Sequence, residues 1–142
     1  MIDKTGEYWK SDLEEDIDEY LREYSEVPKI DVKPIVCECG SSELNLFCEQ
    51  DEGVLEVECA KCGARKFIAD SEEYADEVEL ERYHCPLCGN PVYNARVGFQ
   101  RRKNGSVKWV YIGNRCVKCK VLGSVTDWKI DYEPTDEMER NV

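Results

Sequence analysis

Two apolar periods organise this chain. Near its start Leu13, Ile17, Tyr20, Leu21 and Tyr24 recur at three- and four-residue steps with acids between them. That spacing predicts an amphipathic helix over about 12–23. Ser11-Asp12-Leu13-Glu14 has capping-box form at its head, and Val27-Pro28 stops it, because the residue before proline disfavours helical backbone. Its apolar stripe needs a cover, and the expected one is the β structure further along.

Beyond residue 37 the period falls to two. Leu44, Leu46 and Cys48 take alternate positions, as do Tyr93, Ala95 and Val97. Each run predicts the first strand of a β-hairpin, with third strands at 66–69 and 123–128. Asn104-Gly105 is a two-residue hairpin turn signal. It pairs Lys103 with Ser106, Gln100 with Trp109, Gly98 with Tyr111 and Arg96 with Gly113. One face of that hairpin then carries Tyr93, Ala95, Val97, Phe99, Val110 and Ile112, and should be buried. The other carries Arg96, Gln100, Arg102, Trp109 and Tyr111.

Cysteine changes this picture most. Cys37/Cys39, Cys59/Cys62, Cys85/Cys88 and Cys116/Cys119 form four close pairs, three of them followed by glycine (Gly40, Gly63, Gly89). Glycine there takes the positive φ that turns backbone N–H groups toward sulfur. The knuckles repeat: Cys59-Ala60-Lys61-Cys62 and Cys116-Val117-Lys118-Cys119 are each followed eight residues on by an aspartate, Asp70 and Asp127. A repeat favours two like units over an interleaved cross-brace. One ion is therefore assigned Cys37, Cys39, Cys59 and Cys62, and the other Cys85, Cys88, Cys116 and Cys119. Four thiolates suit zinc, and the same set accepts iron.

With C-x-C-G…C-x-x-C-G and C-P-L-C-G…C-x-x-C set around hairpins, residues 35–130 resemble the zinc-ribbon superfamily. The layout is also similar to small uncharacterised bacterial proteins with paired ribbons, a likeness that implies no activity. The resemblance implies a small, metal-stabilised, mainly β fold: two tandem four-cysteine zinc ribbons plus one N-terminal amphipathic helix. The units run 1–34 (helix and linker), 35–70 (first ribbon), 71–83 (acidic connector, with a helical turn at 71–74), 84–130 (second ribbon) and 131–142 (a frayed tail). The C-x-C knuckle and Lys120, which stands where a glycine is usual, depart from the pattern. Cys85-Pro86-Leu87-Cys88-Gly89 also resembles the rubredoxin knuckle, which implies one-electron transfer through iron as a distant reading. The acidic turn at Asp51-Glu52 resembles the tip of transcription-cleavage ribbons, although a solvated turn explains it more simply.

Charge narrows the function classes. The formal net charge is −12, yet residues 84–129 hold 9 Lys/Arg against a single acid, Asp127. Protein contact is the expected role for so acidic a chain. Nucleic-acid binding within residues 96–120, through Arg96, Arg102, Trp109 and Tyr111, is the alternative. A competing explanation of that face is that it receives the N-terminal helix. Cys48, the ninth cysteine, is expected to be a small buried hydrophobe, and His84 a bystander to the second quartet. No nucleophile–base pair or phosphate-cradling loop stands out, so no catalytic residue is assigned and no enzymatic activity is expected. Odd cysteine count, knuckle spacing and an opening without an apolar run lead to the expectation of a reduced, cytoplasmic, non-membrane setting.

Overall fold

The computed structural model describes residues 2–49, 51 and 53–142. Its elements in chain order are α1 (Asp16–Ser25), β1 (Asp31–Pro34), β2 (Leu44–Glu49), β3 (Val54–Cys59), β4 (Arg65–Phe67), α2 (Ser71–Tyr74), β5 (Glu81–Arg82), β6 (Val92–Arg101), β7 (Val107–Cys116), β8 (Leu122–Lys129) and α3 (Asp136–Glu139). The protein is mainly antiparallel β with an N-terminal helix, as the alternation of apolar residues predicts.

Among the described residues the strands make one sheet, ordered β4-β3-β2-β6-β7-β8, with β1 also on β6 and β5 on β2. The repeat seen in the sequence is a repeat of register. Leu44 lies opposite Cys59 in the first hairpin, and Tyr93 lies opposite Cys116 in the second. Leu44 and Tyr93 then pair with each other where β2 meets β6. The two units are thus sewn edge to edge at equivalent positions, and one apolar core runs beneath both. It takes Leu44, Leu46, Leu55 and Val57 from the first hairpin and Tyr93, Ala95, Val97, Phe99, Val110 and Ile112 from the second.

The second hairpin shows a compensated departure. Gln100–Trp109, Gly98–Tyr111 and Arg96–Gly113 pair as expected, but Lys103 does not face Ser106. Instead the Arg102 N–H donates to Ser106 O (2.7 Å) and the Gly105 N–H to Arg102 O (2.9 Å), with Gly105 at φ +92°. Three residues make the turn, and a register shift between Gln100 and Arg101 restores the pairing.

On the opposite sheet face α1 covers β6 and β7. Ile17 and Leu21 are fully buried and join Ile2 and Leu122, while Trp9, Tyr20, Val32 and Tyr111 pack around them. The helix starts later than the capping box predicts, because Ser11 Oγ accepts from the Leu13 N–H (3.0 Å) and donates to Asp16 (2.6 Å), and Glu14 reaches away to Arg96. Leu13 and Tyr24, at the edges of the apolar stripe, stay exposed. The segment before α1 is anchored as well: the Leu122 N–H donates to Trp9 O and the Ser11 N–H to Lys120 O.

Two stretches read as connectors carry structure. Residues 31–34 form β1, pairing Val32 with Gly98. The tail expected to fray is docked: Thr135 and Met138 are buried, Thr135 Oγ1 accepts from the Val107 N–H, and Asn141 exchanges hydrogen bonds with Ala69. The helical turn at 71–74 is present as α2. No helix of the described residues is long and apolar enough to cross a membrane.

Candidate metal centres

Each hairpin delivers one quartet. Cys59 ends β3 and Cys116 ends β7, and the tight loops after them bring back Cys62 and Cys119. The first knuckle of each unit precedes its hairpin. The loops share one construction: the N–H of residue 40, 63, 89 or 120 donates to the carbonyl of Cys37, Cys59, Cys85 or Cys116 at 2.8–3.0 Å. All four positions have positive φ, from +73° to +93°. Lys120 adopts at +73° the conformation that glycine supplies in the other three.

Eight of the cysteine sulfurs fall into two groups that could each hold a metal ion, Cys37/Cys39/Cys59/Cys62 and Cys85/Cys88/Cys116/Cys119, with the sulfurs of each within 4.8 Å of one another. This is the grouping expected from the repeat, with no ligand drawn from the other unit. Two edges of each group measure 3.5 and 3.6 Å. A tetrahedron with metal–sulfur bonds of about 2.3 Å has edges of about 3.8 Å, so the quartets are sized for a four-coordinate ion. They are far too open for disulfides, and all nine cysteines are free thiols.

Hydrogen bonds aim at the sulfurs as well. The Cys62 N–H points at Cys59 Sγ (3.4 Å) and the Cys119 N–H at Cys116 Sγ (3.5 Å). The Cys62 N–H, ahead of a smaller opposing desolvation, takes the Cys59 pKa down to about 6. At Cys116 burial pushes upward, but the Cys119 N–H and the Asn90 amide outweigh it and bring the thiol to about 6. Both centres hold one thiol ready to ionise at neutral pH, the form a metal requires.

The two centres differ in cover. Cys39 and Cys62 of the first are exposed, whereas Cys85 and Cys116 of the second are buried. Among the described residues only the second gains a side-chain donor, Asn90 Nδ2 to Cys116 Sγ (3.4 Å). Among the described residues the buried Tyr93 hydroxyl meets no partner at full hydrogen-bond geometry, and Tyr93 packs in the core with Cys85 and Cys116. An orphaned hydroxyl beside sulfur suits a thiolate that accepts from it. Sequence parity places Tyr93 on the buried face of the hairpin but gives neither it nor Asn90 a part beside the sulfurs. Their signal is positional: Asn90 follows the Cys-x-x-Cys-Gly knuckle, and Tyr93 faces Cys116 across the hairpin.

His84 is exposed and stands outside both groups. Cys48 is buried beside Leu44 and Leu46 as expected, and burial first, then Glu49 and Glu81, push its thiol up to about 11. In the acidic turn Asp51 is exposed, and Glu52 lies outside the described residues.

Of the four residues considered for nucleic acid, Arg96 and Tyr111 meet α1, Trp109 lies next to Tyr111, and Arg102 stands at the tip of the second hairpin against the chain that follows β8. Arg96 is buried, donating to Glu14 Oε1 (2.8 Å) and Asp18 Oδ1 (3.0 Å) on the N-terminal segment. Arg102 donates to the carbonyls of Val107 and Ile130. Tyr111 meets the Tyr24 ring at 6.5 Å, and Trp109 Nε1 donates to Asp127 (2.9 Å). Arg115, within the segment 96–120 considered for nucleic acid, donates to Ser11 O, Asp12 O and Asn94. No protein-family model, curated protein or solved structure matches this chain, so its function is read from its own chemistry.

Proposed function

We propose that this is a non-catalytic zinc protein whose two four-thiolate centres hold together a surface for protein contact. The carrying observation is that each quartet gathers four sulfurs within 4.8 Å of one another; a tetrahedral ion bound by all four would have no position left for substrate or water. Zinc is the ion we assign, because it is tetrahedral, redox-inert and content with four thiolates. The chain's net charge of −12 favours a protein partner over a polyanion. The engagement of Arg96, Arg102 and Arg115 within the fold supports the same choice.

Elemental analysis of purified protein is expected to find two zinc ions per chain in a colourless solution. A red solution with iron in both sites would replace the zinc assignment by electron transfer. Affinity capture from native lysate, with and without nuclease, separates the contact readings. A protein retained after nuclease supports the proposal, and capture that disappears with nuclease transfers it to nucleic acid.

A further inference from the structure

Five aromatic rings form an unbroken row across the outside of the helix and the sheet beside it. Trp9 meets Tyr20 at 6.0 Å between centroids, Tyr20 meets Tyr24 at 6.0 Å, Tyr24 meets Tyr111 at 6.5 Å and Tyr111 meets Trp109 at 6.4 Å. Packing accounts for part of this row, since Tyr20 and Tyr111 shelter Ile17 and Leu21. It does not account for Tyr24, whose side chain stands 44 % exposed at the centre. Two open clefts meet at that residue. One, of 370 Å³, is walled by Glu7, Trp9, Tyr20, Glu23 and Tyr24. The other, of 600 Å³, runs from Tyr24 past Trp109 to Asp51 and Asp127.

The chemistry of the row is defined by what already sits on it. Lys4 Nζ lies 4.7 Å above the Trp9 ring and 3.1 Å from Glu23 Oε1. An ammonium held by a ring face and a carboxylate is the contact that a basic partner residue would make further along. Glu7 and Glu23 line one cleft, and Asp51 and Asp127 line the other, where they outnumber the one cation on its wall, Lys129. Acids on the walls favour cations and oppose phosphates. Spacing adds a geometric condition. Alternate residues of an extended chain lie about 6.6 Å apart on one side, close to the 6.0–6.5 Å between successive centroids, with the rings turned edge to face at Trp9–Tyr20, Tyr20–Tyr24 and Tyr24–Tyr111 so that neighbouring faces point in different directions.

We infer that this aromatic row is the docking surface for an extended segment of a protein partner carrying lysine or arginine at alternate positions. The inference rests on the protein-contact reading above and names its surface and the partner's chemistry. Affinity comes from cations over rings with carboxylates at the rim, and specificity from the two-residue repeat.

The test uses the metal-loaded full chain and three probes: a blocked decapeptide alternating lysine and serine, a decapeptide of five lysines followed by five serines, and a ten-nucleotide oligothymidine. Binding is followed by tryptophan fluorescence, since Trp9 and Trp109 lie in the row, and by calorimetry at low salt. The alternating peptide is expected to bind at least about fivefold tighter than the block peptide. Tyr24→Ala is expected to weaken it roughly threefold to tenfold, with the circular-dichroism spectrum and Tm retained. Glu23→Gln, which leaves every ring in place, is expected to weaken it as well, and high salt to abolish it. Equal affinity for both peptides with no response to Tyr24→Ala overturns the inference. So does preferential binding of oligothymidine. Lysate capture with the unaltered chain and Tyr24→Ala keeps the two readings apart: a partner held equally by both removes this surface and leaves protein contact standing, whereas no partner on either removes the broader reading.

Discussion

Leu21 occupies the space that a side chain at position 113 would need. A β-carbon built on Gly113 would lie 2.7 Å from Leu21 Cγ and 2.8 Å from Ile17 Cγ2, so the helix is seated in a hollow that glycine leaves open. Gly113→Ala is expected to destabilise the protein by about 1–3 kcal/mol through overpacking, lowering Tm by several degrees. Gly98 provides the comparison. Its added β-carbon would meet Ile30 Cδ1 at 2.6 Å, a terminal methyl that can swing aside, so Gly98→Ala should cost less. Equal costs at both positions would show that the helix is not held by this fit.

Arg96 couples the helix to the sheet electrostatically. Its guanidinium is largely buried, while Glu14 and Asp18 keep about a third of their side chains exposed. Removing the arginine leaves carboxylates that water can reach, so Arg96→Met should cost about 1–3 kcal/mol, below the penalty for a fully buried partner. A double-mutant cycle of Arg96→Met with Asp18→Asn is expected to give a coupling of about 0.5–2 kcal/mol at low salt. Denaturant melts of the four proteins measure it, and additivity within experimental error would make the contact incidental. Because of this coupling, loss of ligand binding in an Arg96 variant reports on binding only when its Tm is also measured.

Much of this was legible before any coordinates. The knuckles name their own partners because a repeat pairs like with like, and parity along β6 and β7 separates Val97 and Phe99, in the core beneath the sheet, from Arg96 and Tyr111 on the face that α1 covers. The parts that were not legible are those decided by tertiary contact. Nothing local to Asp31–Pro34 marks it as a strand; it pairs because β6 extends beyond β2 and leaves an open edge. The tail is polar enough to fray, yet Thr135 and Met138 find vacant places against the second hairpin. The capping box failed because Arg96, distant in sequence, claims Glu14 more strongly than the Ser11 backbone does.

The two centres should release metal in sequence. The first has two exposed cysteines, and the second is covered and receives the extra donor Asn90. Excess chelator is expected to remove two ions in separate phases, and Cys62→Ser should eliminate the faster. Acid acts on both. Within each quartet one thiol, Cys59 or Cys116, is lowered from 9.0 to about 6 and one, Cys62 or Cys119, is raised to about 12. The lowered thiols' contribution to stability is complete above 9.0 and is lost as pH falls through about 6, whereas that of the raised thiols is present below 9.0 and is lost as pH rises through about 12. A colorimetric zinc indicator should therefore report retention at neutral pH and release below about pH 6, where protons compete for the thiolates. Simultaneous release in one phase would contradict the unequal cover.

Cys48 should respond in the opposite direction. Its thiol is raised to about 11 by burial and by Glu49 and Glu81, so the protonated form's contribution is present below 9.0 and is lost as pH rises through about 11. In the metal-loaded protein, iodoacetamide at pH 8 should leave it unmodified, and denaturation with chelator should expose all nine thiols. Cys48→Val should change stability by less than about 1.5 kcal/mol, as an apolar side chain in an apolar place. Rapid alkylation of the native protein would show that this position opens to solvent.

Lys120 offers a stabilising change. It holds φ +73°, matching Gly63 at +79° and Gly89 at +76°, and its N–H makes the same bond to the preceding cysteine carbonyl, Cys116 O at 3.0 Å. A left-handed conformation costs an L-residue about 1–2 kcal/mol, and glycine avoids that cost while adding about 0.5–1 kcal/mol of unfolded-state entropy to be overcome. Lys120 Nζ also donates to Val117 O (3.2 Å), a contact on a partly exposed side chain whose loss costs little. Lys120→Gly is therefore expected to stabilise the metal-loaded protein by about 0.5–1 kcal/mol. Thermal unfolding at fixed metal content measures this, with two ions still bound per chain. A lowered Tm would mean that the lysine side chain holds the knuckle closed, and that this loop differs in kind from the three that end in glycine.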